Sequence, residues 1–228
     1  MSSAAPVESA PDPTTVRLRI TEIFHSLQGE AREIGLPTVF VRLTGCPLRC
    51  HYCDTAYAFH GGRHWTLAEV LEAVASHGSR HVTVTGGEPL AQAAPCRALL
   101  QALVERGYAV SLETSGAMPV DGIDTRVSRV VDLKTPGSGE CHRNLWENIP
   151  RLGAHDQVKF VLCDHADYDW ARDIVMRYDL TRRCEVLFSP SFGELGAREL
   201  ADRIVADALP VRFQVQLHKL LWGDEPGR

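Results

Sequence analysis

No stretch of the 228-residue chain approaches the ~20 consecutive apolar residues that a membrane-spanning helix needs. A basic start followed by an apolar run is also missing, so nothing reads as a secretory signal. The expected compartment is therefore the cytosol, where thiols stay reduced. Excess positive charge is lacking too. The formal net charge is −5, which argues against a nonspecific polyanion binder. Arg177, Arg182, Arg183, Arg198 and Arg203 are scattered and read as solvated helix faces, so no nucleic-acid or membrane partner is expected. There is no internal repeat, and after residue 15 no linker divides the chain. Cysteine is sparse outside one place. Cys96, Cys141, Cys163 and Cys184 are scattered and behave as small hydrophobes in a reducing compartment.

What is present is ordinary in bulk: 44% apolar and 23% charged residues, as in a soluble globular protein. Residues 1–15, rich in Ala, Pro and Ser, read as a disordered tail, and residues 16–228 as a single core domain. Strand patterns fall at 16–24, 38–43, 81–85, 108–112, 129–133, 157–162, 185–188 and 211–217. Helical spacing falls at 66–76, 95–106, 168–178 and 197–208. Thr66 with Glu69 predicts a capping box, and Gly107 a C-cap. This alternation predicts an α/β fold with a parallel sheet, whose ligand sites collect at the strand C-termini. Residues 137–144 read as a mobile loop over such a site.

The chemistry sits in Cys46-Pro47-Leu48-Arg49-Cys50-His51-Tyr52-Cys53, a C-x3-C-x2-C pattern on a loop after a strand. Three thiolates within eight residues suit zinc or an iron–sulfur centre. Structural zinc sites close with four ligands, and no second C-x2-C pair occurs. His51 offers a fourth ligand, but its neighbours leave it little freedom to point inward. Three cysteines on a cubane leave one iron open for a chelating ligand. Further along, Gly86-Gly87-Glu88-Pro89 follows a strand, as do Glu113-Thr114-Ser115 and Asp132-Leu133-Lys134. The side chains of Glu113, Ser115, Asp132 and Lys134 read either as surface caps or as groups facing a ligand.

The cysteine pattern, with Tyr52 just before the last cysteine, resembles the cluster loop of the radical S-adenosylmethionine superfamily. That resemblance implies a [4Fe-4S] cluster on Cys46, Cys50 and Cys53. S-adenosylmethionine would chelate the fourth iron and be cleaved to methionine and a 5′-deoxyadenosyl radical. Gly87 and Glu88 would bind its methionine amino group. Tyr52, Cys53, Asp54, Glu113, Ser115, Asp132, Leu133 and Lys134 would be its other neighbours. Many relatives carry Ser-Pro-Lys where this chain has Asp132-Leu133-Lys134.

Within the superfamily, the segments 22–30, 40–43, 45–47, 53–55 and 216–219 resemble the 7-carboxy-7-deazaguanine synthase family. The resemblance implies a partial, open β/α barrel of about six parallel strands. It also implies a lyase that converts 6-carboxy-5,6,7,8-tetrahydropterin to 7-carboxy-7-deazaguanine with loss of ammonia. Leu27, Gln28, Gly29, Arg42, Thr85 and the terminal carboxylate of Arg228 would meet the pterin, and Thr55 would meet Mg2+. A homodimer and an external electron donor of flavodoxin or ferredoxin type are implied as partners. Two other readings remain at this point: an activase that makes a glycyl radical on a partner protein, and a zinc-stapled binding module.

Overall fold

A computed structural model describes residues 12–223, 225 and 227. Among these residues nine strands form one open sheet in the order β3-β1-β2-β4-β5-β6-β7-β8-β9. The strands are β1 (Arg17–Leu27), β2 (Pro37–Leu43), β3 (Arg63–Thr66), β4 (His81–Gly86), β5 (Ala109–Thr114), β6 (Ser128–Asp132), β7 (Gln157–Leu162), β8 (Glu185–Pro190) and β9 (Arg212–Phe213). From β2 onward through β4 to β9 every neighbour pairs in parallel, whereas β1 is antiparallel to both β2 and β3.

The strands alternate with a period of two, and that alternation separates core from site. Val39, Val41 and Leu43 of β2, Val82 and Val84 of β4, Val110 and Leu112 of β5, and Val158, Phe160 and Leu162 of β7 join the hydrophobic core. The intervening residues, among them Arg42, Thr85, Glu113, Asp132 and Lys159, line a cavity on the other face. A one-residue register slip in any of these strands would exchange the two sets.

Helices α1 (Leu67–Ser76), α2 (Ala93–Glu105), α3 (His165–Arg177), α4 (Leu180–Arg183) and α5 (Ala197–Ala206) also contribute to that core. In α1 the buried residues are Leu67, Val70, Leu71 and Val74, each contributing about 2 kcal/mol by burial. The capping box expected at Thr66 is present: its hydroxyl accepts from Glu69 N, and Glu69 accepts from Thr66 N.

Four details differ from the sequence reading. The edge strand β3 was not anticipated. The strand expected over 211–217 shrinks to β9, after which the chain turns into α6 (Leu217–Trp222). Residues 12–15, expected to belong to a disordered tail, form a turn in which Asp12 accepts from Thr14 N and Pro13 O accepts from Ala68 N; residues 1–11 of that tail lie outside the described residues. Residues 137–144, expected to be a mobile loop, fold into two short 3-10 turns. Asn144 pins them by bonding both the backbone N–H and the C=O of Lys134.

The gap between β9 and the loop after β1 is bridged by side chains. The Gln214 amide accepts from Ala31 N at 2.7 Å and donates to Ala31 O at 2.8 Å, imitating a strand pair. Leu217 N donates to Gly29 O at 3.0 Å, and Gln216 donates to Glu30. The approach is close: a Cβ on Gly29 would lie 2.2 Å from the His218 ring. Among the described residues no helix is long and apolar enough to cross a membrane.

Candidate functional site

The cysteine loop leaves β2 at Leu43 and turns through Gly45, whose φ of 101° suits glycine. Its shape is held by the turn after β4. Gly87 N donates to Leu43 O, and Glu88 N to Gly45 O at 2.7 Å. A Cβ on Gly87 would lie 2.5 Å from Gly45 O and 2.7 Å from Cys46 Cβ, so only glycine permits this approach. The two motifs noted in the sequence are therefore one structural unit.

Cys46, Cys50 and Cys53 are half-buried and line the mouth of a cavity of about 550 Å3, an ordinary size for a ligand pocket. Their three sulfurs do not all lie within 4.8 Å of one another. Thiolates around one zinc ion sit only ~3.8 Å apart, so this spacing suits a multi-atom iron–sulfur cluster better than a single ion. His51 does not close the set. Its Nδ1 bonds Gly137 O at 2.7 Å and its Nε2 faces Glu194. Burial raises the thiol pKa of Cys46 and pushes that of Cys50 up to about 11, so loading a metal centre must release protons.

One wall of the cavity is a buried charge network. Asp132 Oδ2 accepts from Lys134 at 2.9 Å and lies 3.8 Å from Lys159, which also pairs with Glu30. Burial works against both lysine charges, but Asp132 and, for Lys159, Glu30 hold their pKa values above the ordinary. Asp132 Oδ1 and the Tyr52 hydroxyl are buried with no hydrogen-bond partner among the described residues. Such orphaned polar atoms on a cavity wall fit a polar ligand. Lys134 Nζ also sits 5.6 Å from the centre of the Tyr52 ring.

The floor carries Gln28, Thr85 and Glu113. Glu113 accepts from Gln28 Nε2 at 3.3 Å and from Thr85 Oγ1 at 3.1 Å. Burial and the charge of Glu30 raise its pKa, against the pull of Lys159 and Arg42. Arg42 spends only Nε on protein, donating to Glu22 at 2.7 Å. Among the described residues its two terminal nitrogens have no protein acceptor. Glu113, an expected cofactor neighbour, thus stands beside Gln28 and Thr85, two of the expected pterin contacts.

On the far side, Asp54 faces His218 and Lys219, each at 3.9 Å. Burial alone would raise its pKa, but the neighbouring His218 and the Lys219 charge bring it down to about 2. Thr55 Oγ1 lies 3.9 Å from Cys53 Sγ.

The cavity gathers Leu27, Gln28, Gly29, Arg42, Cys46, Cys50, Tyr52, Cys53, Asp54, Thr55, Thr85, Gly87, Glu113, Ser115, Asp132 and Lys134. Two expected residues fall elsewhere. The Leu133 side chain is 1% exposed and packs in the core. Glu88 is fully buried, and its carboxylate is occupied by Leu90 N, Thr114 Oγ1, Ser115 N and Ser115 Oγ. Its side chain therefore does not offer itself to a ligand ammonium; it fixes Ser115, which does reach the cavity. Arg228 lies outside the described residues. Sequence reasoning assigned no role to Glu30, Lys159, His218 and Lys219. Lys159 had a signal: it is the lone charge inside the apolar strand run Val158–Leu162.

Comparison with known proteins gives a consistent result. Residues 40–133 match the family model described as the radical SAM superfamily. The 7-carboxy-7-deazaguanine synthase of Chlorobaculum tepidum is 41% identical, over 93% of this chain and 97% of that protein. Those of Koribacter versatilis and Thermoplasma acidophilum are each 39% identical, over 91% of this chain and at least 98% of theirs. The crystal structure of QueE from Escherichia coli superposes with a TM-score of 0.72, covering 89% of this chain and 95% of that one. At 22% identity that likeness speaks to the fold.

Proposed function

We propose that this chain, which belongs to the 7-carboxy-7-deazaguanine synthase family of the radical S-adenosylmethionine superfamily, converts 6-carboxy-5,6,7,8-tetrahydropterin to 7-carboxy-7-deazaguanine with loss of ammonia. The observation that carries the reading is the pairing of three thiols at the cavity mouth with a guanidinium whose terminal nitrogens have no acceptor among the described residues, and with an amide–carboxylate floor beneath them. When bound, the cluster and S-adenosylmethionine supply an electron and a hydrogen-abstracting radical.

The chain's own residues bind and orient. The terminal nitrogens of Arg42 suit the substrate carboxylate, which a guanidinium grips with two parallel bonds. Gln28, as donor and acceptor, and Glu113, as acceptor, suit the donor-rich edge of a reduced pterin. Thr55 is the proposed Mg2+ contact. A neutral hydroxyl is sufficient where water and substrate oxygens fill the other positions. Gly87, Ser115, Asp132 and Lys134 surround the space next to the cysteines and are the proposed cofactor contacts, with Tyr52 and Asp54 beside them. A homodimer, an external electron donor of flavodoxin or ferredoxin type and a cytosolic location complete the proposal.

The test is anaerobic turnover. Protein reconstituted with iron and sulfide, then given reductant, S-adenosylmethionine, Mg2+ and the carboxypterin, is expected to release 7-carboxy-7-deazaguanine. Cofactor cleavage without that product would overturn the substrate assignment and favour a radical activase.

A further inference from the structure

Outside the cavity's cysteine cluster, three elements bring metal-ligating atoms together at the rim. His51 comes from the cysteine loop, Cys163 from the turn between β7 and α3, and Glu194 from the loop after β8. One ligand atom from each lies within 4.8 Å of the other two, the single such group among the described residues.

A second observation concerns hydrogens rather than distance. Gly137 O is an acceptor only, so the His51 Nδ1 at 2.7 Å from it must carry a hydrogen. In the neutral ring this leaves Nε2 with a bare lone pair. Nε2 faces Glu194 Oε1 at 2.5 Å. The Cys163 thiol is aimed at the same carboxylate. Three ligand atoms of different chemistry, a ring nitrogen, a thiol sulfur and a carboxylate oxygen, thus converge on one point. The Nδ1 bond to a backbone carbonyl is also the outer contact that orients a metal-bound histidine.

We propose that His51 Nε2, Cys163 Sγ and a Glu194 oxygen form a site for a divalent cation of the zinc class. One nitrogen, one sulfur and one carboxylate oxygen match the ligand types of zinc. Water takes the fourth position, because the Asp167 carboxylate next to Cys163 is already occupied by Thr135 Oγ1, Gly137 N and Cys163 N. Binding forms the metal–sulfur bond and releases the Cys163 thiol proton to solvent, with no change of oxidation state. The imidazole and carboxylate sides are about half and one-third exposed, so an ion reaches them from solvent. The site ties His51, between Cys50 and Cys53, to the loops that follow β7 and β8 at the same C-terminal rim of the parallel strands. It steadies the cluster loop independently of the reaction proposed above.

Cluster-loaded protein dialysed anaerobically against buffered Zn2+ is expected to retain a single zinc ion per chain beyond its iron. Zinc-edge X-ray absorption is expected to find one sulfur among nitrogen and oxygen neighbours. Cys163→Ser and Glu194→Gln should each weaken zinc binding by at least the roughly 10–100-fold that loss of an outer contact costs, with iron content unchanged. No retained zinc, a shell with two or more sulfurs, or equal affinity in both variants would overturn the proposal. Should Cys163→Ser fail to hold iron, Glu194→Gln and the absorption spectrum of the unaltered protein decide.

Discussion

Glu113 is a carboxylate kept where its charge is costly, since burial and Glu30 both raise its pKa. A raised carboxyl pKa means that the native state holds the proton longer than the unfolded chain does. The group's contribution is therefore complete below its unfolded value near 4.5 and is lost as pH rises above it. Glu113→Gln is accordingly expected to be more resistant to urea than the parent at pH 8, with the difference vanishing toward pH 4. The same change is expected to lower kcat/KM by roughly 10- to 100-fold, the equivalent of one charged hydrogen bond. Greater urea sensitivity at pH 8 would contradict this assignment. Lys159 presents the reverse case. Lys159→Met leaves the buried Glu30 carboxylate without its lysine partner, while Asp132 keeps Lys134, and should cost about 3–5 kcal/mol in chemical denaturation. Adding Glu30→Gln should recover part of that loss. Cys46, Cys50 and Cys53 were legible from spacing alone. Lys159 was not, because a lysine within an apolar strand reads as an exception until its two acidic partners are placed.

The helices were easiest to read, because caps and periodicity are local. Thr66 and Glu69 announce the start of α1, and the structure has both reciprocal bonds. Thr66→Ala should cost about 1 kcal/mol of stability and leave turnover unchanged, since α1 packs on the face away from the cavity; thermal melting and the turnover assay check both halves. The elements that escaped are those set by distant partners. In β3, Arg63-His64-Trp65-Thr66 has no two-residue alternation and is a strand only because Arg17–Ile20 of β1 pairs with it. Residues 211–217 do alternate, yet the strand ends at Phe213; Gln214 N still bonds Phe188 O of β8, its side chain pairs with Ala31, and the chain then turns into α6. Glu88 misleads similarly. Its place in the motif suggests a ligand contact, whereas four internal donors already occupy it.

Across the whole molecule, core and chemistry lie on opposite faces of one sheet, so losing the chemistry need not cost the fold. Cys50→Ala is expected to lose bound iron and turnover while keeping its far-ultraviolet circular dichroism and its cooperative unfolding; a variant that unfolds outright would show that the loop carries the fold. The parallel sheet was legible from the order of strands and helices, and its open-barrel form was implied by the resemblance; the bridge from Gln214 to Ala31 was not legible, because it depends on a side-chain amide rather than on a further strand. The Gln214–Ala31 bridge has a temporal consequence as well. Its partners are 183 residues apart, and synthesis proceeds at roughly 5–20 residues per second. A nascent chain therefore waits roughly 10–40 s between making the first half of the clasp and the second. During most of that interval its three clustered cysteines have already emerged in sequence, and the wall that will shelter them has yet to be translated.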